Sequence, residues 1–241
     1  MSSPKIVLVA ITKHGATQVA QLAAKLPDAD ILVAEKFQEL LANNAVAQFY
    51  TGPFKAQIAD LFKKYDQIVF FVSLGAVVRL VAPFLKSKDE DPGIIVVDDA
   101  AQFVIPVLSG HVGGANACAE MLADILDATP VLTTASDVGK TIPVDILGRE
   151  LGWQVEAPKI NITRVSAHVV NEEPIAFVQE AGSKNWWTRS TPLPKNIQLF
   201  DDFYAVDLSK FKAVLWVTNA YISEPLWQQL HERLVVYRVP E

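Results

Sequence analysis

Cysteine is almost absent from this chain of 241 residues, which contains only Cys118. A single thiol cannot form an internal disulfide and leaves too few ligands for a structural zinc site. The sequence therefore excludes a disulfide-stabilised scaffold. Cys118 stands among Ala117, Ala119 and Met121, which favours core packing over a reactive thiol.

An excess of basic residues is also lacking, because 21 Lys and Arg oppose 27 Asp and Glu, for a net charge of −6. A general nucleic-acid binder needs a basic face that displaces counterions from phosphates. We therefore expect no nucleic-acid partner. An acidic ligand would have to be held by local donors, since the overall charge repels it.

Long hydrophobic runs are missing as well. The run at residues 6–11 is too short for a secretory signal, and residues 74–85 are interrupted by Arg79. Neither run reaches the ~20 apolar residues that a membrane-spanning helix needs. We expect no targeting segment, no membrane contact and a cytoplasmic location.

Histidine is scarce, with four residues, and His14, His168 and His231 show no metal-ligand spacing. No cluster of His, Cys and carboxylates predicts a protein-bound metal.

Apolar residues, by contrast, make up 51% of the chain and alternate between two patterns in its first half. Short β-branched runs indicate buried strands, and amphipathic segments between them indicate helices. This order predicts an α/β fold with a mainly parallel, three-layer sheet. The link at residues 98–102 is too short for a crossover and predicts one antiparallel hairpin at or near an edge. Strands are predicted at 5–11, 30–33, 67–72, 93–97, 103–108 and 130–134, and helices at 17–26, 54–65, 73–84 and 115–127.

The pattern changes after about residue 138, and all five tryptophans lie at residue 153 or later. We predict an N-terminal α/β domain over 1–138 and a smaller α/β region over 139–241. In the second region we predict strands at 174–179, 213–218 and 234–239, helices at 145–151 and 224–233, and a loop at 183–196, with 165–170 ambiguous.

The densest signal for a site is the glycine-rich segment at residues 108–116, between a predicted strand and a predicted helix. In a parallel sheet it would lie at the carboxyl edge, where open α/β folds bind ligands. Glycines let a ligand approach the backbone, and a helix N-terminus favours anions. Gly110, Gly113, Gly114 and Asn116 are therefore candidates for holding a carboxylate or phosphate. A tight turn in which the glycines serve backbone geometry alone is the alternative.

Two side chains of this segment bear chemistry. A histidine near a helix N-terminus is disfavoured as the cation, so His111 could act as a base or as a hydrogen-bond donor. It could equally be tied to a nearby carbonyl. Ser109 is either a ligand hydroxyl or a helix cap.

Other strand ends are expected at the same edge. Gly75 opens a helix one turn before Arg79, which needs an acidic partner, either structural or a ligand. Asp98 could orient His111 or terminate a turn. Thr134, Ser136 and Asp137 follow a predicted strand. A polar loop at residues 12–17 could bind phosphate, as in flavodoxin-like proteins, or simply cap a helix.

The sequence resembles a known family in four ordered segments: Gly75–Pro83, Asp91-Pro92 before Val96–Asp98, Leu108–Asn116, and Ala135–Asp137. These are similar to the N-terminal domain of the CbiG family, the cobalt-precorrin 5A hydrolases of anaerobic cobalamin biosynthesis. Residues 143–180 resemble the middle region of the family more loosely.

The resemblance implies hydrolysis of the δ-lactone of a cobalt-containing macrocycle, with release of acetaldehyde. His111 would then act as acid or base, supported by Asp98. Gly75, Arg79, Ser109, Thr134, Ser136 and Asp137 would contact substrate, together with the four anion-holding residues of the glycine-rich segment. No cofactor is expected, because the cobalt belongs to the substrate.

The family usually has a further C-terminal domain. The alternative function is therefore a non-catalytic corrinoid-binding module that works with a separately encoded C-terminal-domain protein. The chain could also form a homodimer. A flavin or nucleotide binder is the third hypothesis.

Overall fold

The computed structural model describes residues 4–88 and 90–240. The chain divides into two compact units, Met1–Leu132 and Thr133–Glu241, compared with a sequence prediction of a boundary after residue 138. Each unit contains its own sheet. No helix among the described residues is long and apolar enough to cross a membrane.

The first unit contains, within its described residues, one seven-stranded sheet and four α-helices. The strands are β1 Ile6–Ala10, β2 Asp30–Ala34, β3 Ala47–Tyr50, β4 Gln67–Phe71, β5 Gly93–Val97, β6 Phe103–Leu108 and β7 Thr129–Pro130. The helices are α1 Lys13–Ala23, α2 Ile58–Lys64, α3 Leu74–Val81 and α4 Ala115–Leu126. Short 3₁₀ segments lie at Glu35–Leu41, Phe54–Gln57 and Ala82–Phe84.

The strands of this sheet follow the order β3-β2-β1-β4-β5-β6-β7. All neighbours are parallel except β5 and β6, which form the predicted antiparallel hairpin one strand from the edge. Helices α1 and α4 cover one face, and α2 and α3 cover the other. The predicted α/β class with a mainly parallel, three-layer sheet is confirmed.

The central strands are buried because side chains of both faces meet a helical layer. Every residue of β4 and β5 is buried, including Phe70, Phe71, Ile94 and Ile95, which are fully inaccessible. Each such side chain contributes about 1.5–3 kcal/mol by leaving water. These two strands therefore form the rigid centre of the sheet, and the loops at their ends are held in place by it.

The second unit contains, among its described residues, a five-stranded sheet in the order β10-β9-β11-β12-β8. Its strands are β8 Gln154–Glu156, β9 Ile175–Gln179, β10 Ile197–Phe200, β11 Ala213–Val217 and β12 Leu234–Arg238. Its helices are α5 Ala135–Val138, α6 Lys159–Val170 and α7 Glu224–Gln229, with 3₁₀ segments at Arg149–Leu151, Phe203–Ala205 and Leu208–Lys210. Only β8 is antiparallel to its neighbour, and separate apolar clusters cover the two faces of the sheet.

Several predicted elements differ from the structure. Helix α1 begins at Lys13 rather than at residue 17, because Thr12 caps it by accepting a hydrogen bond from the amide of Gly15 at 3.0 Å. The strand predicted at 130–134 is reduced to Thr129–Pro130, and the helix predicted at 145–151 is a 3₁₀ turn at Arg149–Leu151. The ambiguous residues 165–170 belong to α6.

Candidate functional site

The glycine-rich loop that joins β6 to α4, residues 109–114, lies at the amino edge of the sheet. Strand β6 runs antiparallel to β5, so that Leu108 at the end of β6 pairs with Ile94 near the start of β5. The expectation that this loop shares the carboxyl edge with the ends of β1, β4 and β5 is therefore wrong. Its neighbours are the residues that precede or begin β4 and β5.

Two of the loop glycines leave no room for a side chain. A Cβ on Gly113 would stand 2.4 Å from the Cβ of Ser109 and 2.7 Å from its carbonyl oxygen. A Cβ on Gly110 would meet the Oδ1 of Asn116 at 2.6 Å. The loop is thus folded tightly on itself: the Ser109 backbone requires glycine at position 113, whereas a side chain at position 110 would have to displace that of Asn116.

The start of α4 is capped by the loop itself. The amides of Gly114, Ala115 and Asn116 donate to the carbonyls of His111, Ser109 and Gly110, at 3.0, 3.2 and 3.0 Å. These amides are therefore not available to a ligand, which corrects the expectation for the backbone of Gly114 and Asn116. Among the described residues, the amides of Gly110 and Gly113 have no hydrogen-bond acceptor.

Two hydrogen bonds tie the loop to residues at the start of β4 and just before β5. The buried side chain of Gln67, the first residue of β4, donates its Nε2 to the carbonyl of Gly113. The hydroxyl of Ser109 donates to the carbonyl of Asp91 at 2.9 Å. Ser109 therefore neither caps α4 by its side chain nor points freely outward.

Two observations show that this geometry is held at a cost. Ser109 adopts a φ of 56°, a left-handed conformation that costs a non-glycine residue of order 1–3 kcal/mol. The Oε1 of Gln67 is buried without a hydrogen-bond partner among the described residues. Such strain persists only where the surrounding packing holds the backbone in place. The same strained loop carries the half-buried His111.

Gly75 and Arg79 lie at the opposite, carboxyl edge of the sheet. They belong to α3, which follows the end of β4, a strand of five residues that spans about 16 Å. The guanidinium of Arg79 donates to the carbonyl of Gly75 at 2.8 Å and is exposed. One pocket that joins Arg79 directly to the glycine-rich loop is therefore ruled out.

Asp98 also lies at the carboxyl edge, directly after β5. Its two carboxylate oxygens accept from the amides of Ala100 at 3.1 Å and Phe103 at 2.6 Å, which closes the β5–β6 turn. The idea that Asp98 orients His111 fails, since the two residues stand at opposite ends of β5. The alternative, a turn-terminating aspartate, describes these contacts.

Thr134, Ser136 and Asp137 begin the second unit, in and before the short helix α5. Asp137 accepts from the hydroxyl of Thr134 at 2.5 Å and from Arg189 at 2.9 Å, and Ser136 is buried. Arg189 is a polar residue that the sequence analysis missed. It stands in the predicted 183–196 loop, 52 positions away, so that no local pattern signals the pairing.

Cys118 lies on the buried face of α4, as expected for core packing. Burial raises the pKa of its thiol to about 12, so that the thiol is neutral and unreactive at ordinary pH. Across residues 4–88 and 90–240, no three His, Cys or carboxylate residues are grouped so that they could hold a metal ion.

Two family models match successive parts of the chain. The model described as cobalamin synthesis G N-terminal matches residues 56–137, and the model described as cobalamin biosynthesis central region matches residues 142–238. The chain belongs to the CbiG family. The first match includes both the glycine-rich loop and Arg79.

Curated relatives extend this similarity of the CbiG chain over both units. It is 42% identical to the cobalt-precorrin-5A hydrolase of Priestia megaterium over 231 residues, which is 96% of this chain and 61% of that protein. It is 32% identical to the cobalt-precorrin-5A hydrolase of Salmonella typhimurium over 182 residues, which is 76% of this chain and 48% of that protein. The chain thus spans about half to three fifths of these relatives.

A solved structure shares the fold of this CbiG chain. It is described as a cobalamin biosynthesis protein G homolog from Sulfolobus solfataricus, with a TM-score of 0.50 and 22% identity. The likeness covers 97% of this chain and 60% of that one.

Proposed function

We propose that this CbiG chain hydrolyses the δ-lactone of cobalt-precorrin 5A, with release of acetaldehyde. The observation that carries the proposal is the 42% identity to a cobalt-precorrin-5A hydrolase, sustained over 96% of the chain. A cobalt-containing tetrapyrrole is then the substrate. The cobalt arrives with it, and the proposal needs no resident cofactor.

The loop between β6 and α4 offers the groups that lactone opening requires. His111, in its neutral form, would accept a proton from water as the water oxygen attacks the lactone carbonyl. The carbonyl oxygen then gains negative charge, and the amides of Gly110 and Gly113 are the donors left for it by the folding of the loop. When the C–O bond breaks, the same imidazole would return the proton to the leaving alkoxide oxygen.

Acetaldehyde release follows from the opened ring. The freed hydroxyl loses its proton and becomes the aldehyde carbonyl as the adjoining C–C bond breaks. The electron pair of that bond remains on the macrocycle carbon, which takes up a proton. Ser109 and Asn116 support the loop in this scheme, whereas Gly75, Arg79 and Asp98, at the other edge of the sheet, take no part in the bond-breaking steps.

The test is acetaldehyde release from purified chain supplied with the cobalt macrocycle, followed by a coupled alcohol dehydrogenase reaction. We expect His111→Ala to lower the rate by ~10²–10⁴-fold, the usual contribution of a positioned acid or base. His231→Ala is the matched control, because His231 is exposed and belongs to the second unit. Equal rates for the parent chain and His111→Ala would reject the assignment of His111.

A second arm separates catalysis from binding. The macrocycle is titrated into the chain by its visible absorbance, with and without the region of the Priestia megaterium relative that the match does not cover, supplied as a separate protein. Binding without acetaldehyde release from the chain alone, with turnover restored by the added protein, would replace the hydrolase proposal by a substrate-binding role.

A further inference from the structure

A basic groove of about 370 Å³ opens at the amino edge of the second sheet. Its lining includes three cationic side chains, Lys210, Lys212 and Arg233, and the imidazole of His168. Lys212 directly precedes β11 and Arg233 directly precedes β12, and the two strands are parallel neighbours. The topology of the sheet thus brings these two side chains to one edge, although they are far apart in sequence.

The guanidinium of Arg233 is held rigidly. Its Nε donates to the carbonyl of Lys212 at 3.1 Å, and its Nη2 donates to the carbonyls of Leu208 and Phe211 at 2.9 and 2.6 Å. Among the described residues, Nη1 has no acceptor, and no carboxylate is paired with the guanidinium. A fixed, part-buried cation therefore keeps one nitrogen for an outside partner.

The acidic groups near the groove are already engaged. Asp207 accepts from Ser209 and pairs with Lys210 at 3.3 Å. The hydrogen bonds from Ser209 lower the pKa of Asp207 and favour its ionised form, which pairs with Lys210. Glu173 contacts the Nδ1 of His168.

Within the described part of the chain, two cationic side chains of the groove have no carboxylate partner. Lys212 forms no ion pair among the described residues, and Arg233 is bonded only to carbonyls. In a chain of net charge −6, two cationic side chains without carboxylate partners at one place are an arrangement suited to holding an anion.

We propose that this groove is a binding site for an oxyanion that carries at least two negative charges, either a polycarboxylate or a phosphate. The site goes beyond the proposed function, because none of its residues takes part in lactone opening. Arg233 supplies Nη1 as an oriented donor, and Lys212 supplies a mobile ammonium group.

The test is isothermal titration of the full chain at low ionic strength with two probes, tricarballylate and inorganic phosphate. Acetate, with one charge, is the reference ligand. We expect both multiply charged probes to bind more tightly than acetate and to weaken as salt is added. The probe that binds more tightly, tricarballylate or phosphate, identifies whether the groove is suited to a polycarboxylate or to a phosphate.

Lys212→Ala is the informative variant, because the lysine side chain has no hydrogen bond or ion pair that folding would lose. We expect it to weaken binding of the preferred probe by about tenfold, the usual value of one charge-assisted hydrogen bond. Lys184→Ala is the matched control. It removes the same charge from the second unit at an exposed lysine that already pairs with Asp201 at 2.9 Å.

Three results would overturn the proposal. The first is the absence of binding heat with either multiply charged probe. The second is an affinity for acetate equal to the affinity for these probes. The third is an equal affinity of Lys212→Ala and Lys184→Ala for the preferred probe. Circular dichroism of both variants shows that they fold. Acetaldehyde release is measured separately, so that loss of the anion site and loss of hydrolysis are told apart.

Discussion

Replacing Gly113 by alanine tests whether the packing of the glycine-rich loop sets the position of His111. The new Cβ would lie 2.4 Å from the Cβ of Ser109, whereas ordinary contact begins at 3.4 Å. The difference, 3.4 − 2.4, requires a movement of about 1 Å. The Ser109 carbonyl at 2.7 Å blocks escape along the backbone, and Ser109 is itself tied to Asp91.

The size of the effect follows from this movement. Forced overpacking costs about 1–3 kcal/mol, and a displacement of ~1 Å in a catalytic group lowers a rate by as much as about 10²-fold. We therefore expect Gly113→Ala to lower both acetaldehyde release and the urea midpoint measured by circular dichroism. The macrocycle is added at saturating concentration, so that the loss is read as kcat.

Gly75→Ala is the control for this substitution. Its Cβ would meet only the flexible end of Arg79, at 3.2 Å, and the residue lies in α3, where alanine is favoured over glycine by about 0.5–1 kcal/mol. We expect unchanged or slightly raised stability and a parental rate. A parental rate in a destabilised Gly113→Ala protein would refute the catalytic role of this loop. Parental stability of Gly113→Ala would refute the claim that the loop has no room for a side chain at this position.

Three further predictions concern other contacts. Tyr237→Phe removes the buried hydrogen bond to the Val144 carbonyl at 2.9 Å and should lower the free energy of unfolding by about 1–2 kcal/mol at neutral pH. Tryptophan fluorescence measures this loss, because all five tryptophans lie in the second unit. An unchanged free energy of unfolding would contradict the hydrogen bond. Burial raises the pKa of Tyr237 well above its usual value of 10, so the unfolded chain ionises first and the parent chain should lose stability above pH 10 more steeply than the variant. Cys118 should react with a thiol reagent only after unfolding in urea, and rapid reaction of the native chain would contradict its burial. Asp98→Ala should lower stability by about 0.5–2 kcal/mol through loss of turn hydrogen bonds, with the acetaldehyde rate unchanged; a slowed reaction in a stable variant would return Asp98 to the catalytic machinery.

Strand prediction succeeded where both faces of a strand are covered. Strands β1, β4 and β5, and β11 of the second sheet, carry continuous apolar runs because helices lie on both sides. The strands that were missed or misplaced, β3, β7, β8 and β10, are the four sheet edges. Edge strands are short and partly exposed, so their sequences lack the hydrophobic run that marks a buried strand.

The sequence singled out the glycine-rich loop but not the contacts that hold it. The glycines between β6 and α4 were recognised because tight packing leaves room only for glycine, which is a local requirement. Gln67 was not singled out, because its contact with Gly113 joins residues 46 positions apart. Arg189 was missed for the same reason.

By itself, the sequence determined the α/β class, the buried central strands, the glycine-rich loop and the family, since these depend on local composition, periodicity and ordered motifs. The short link at residues 98–102 also predicted that β6 runs antiparallel to β5, but only the tertiary structure showed that this direction carries the loop to the amino edge, away from Arg79 and Asp98. The pairing of distant charges, as in Asp137 with Arg189, was decided there too. Contacts between residues far apart in the sequence depend on how the whole chain packs, and no short segment encodes them.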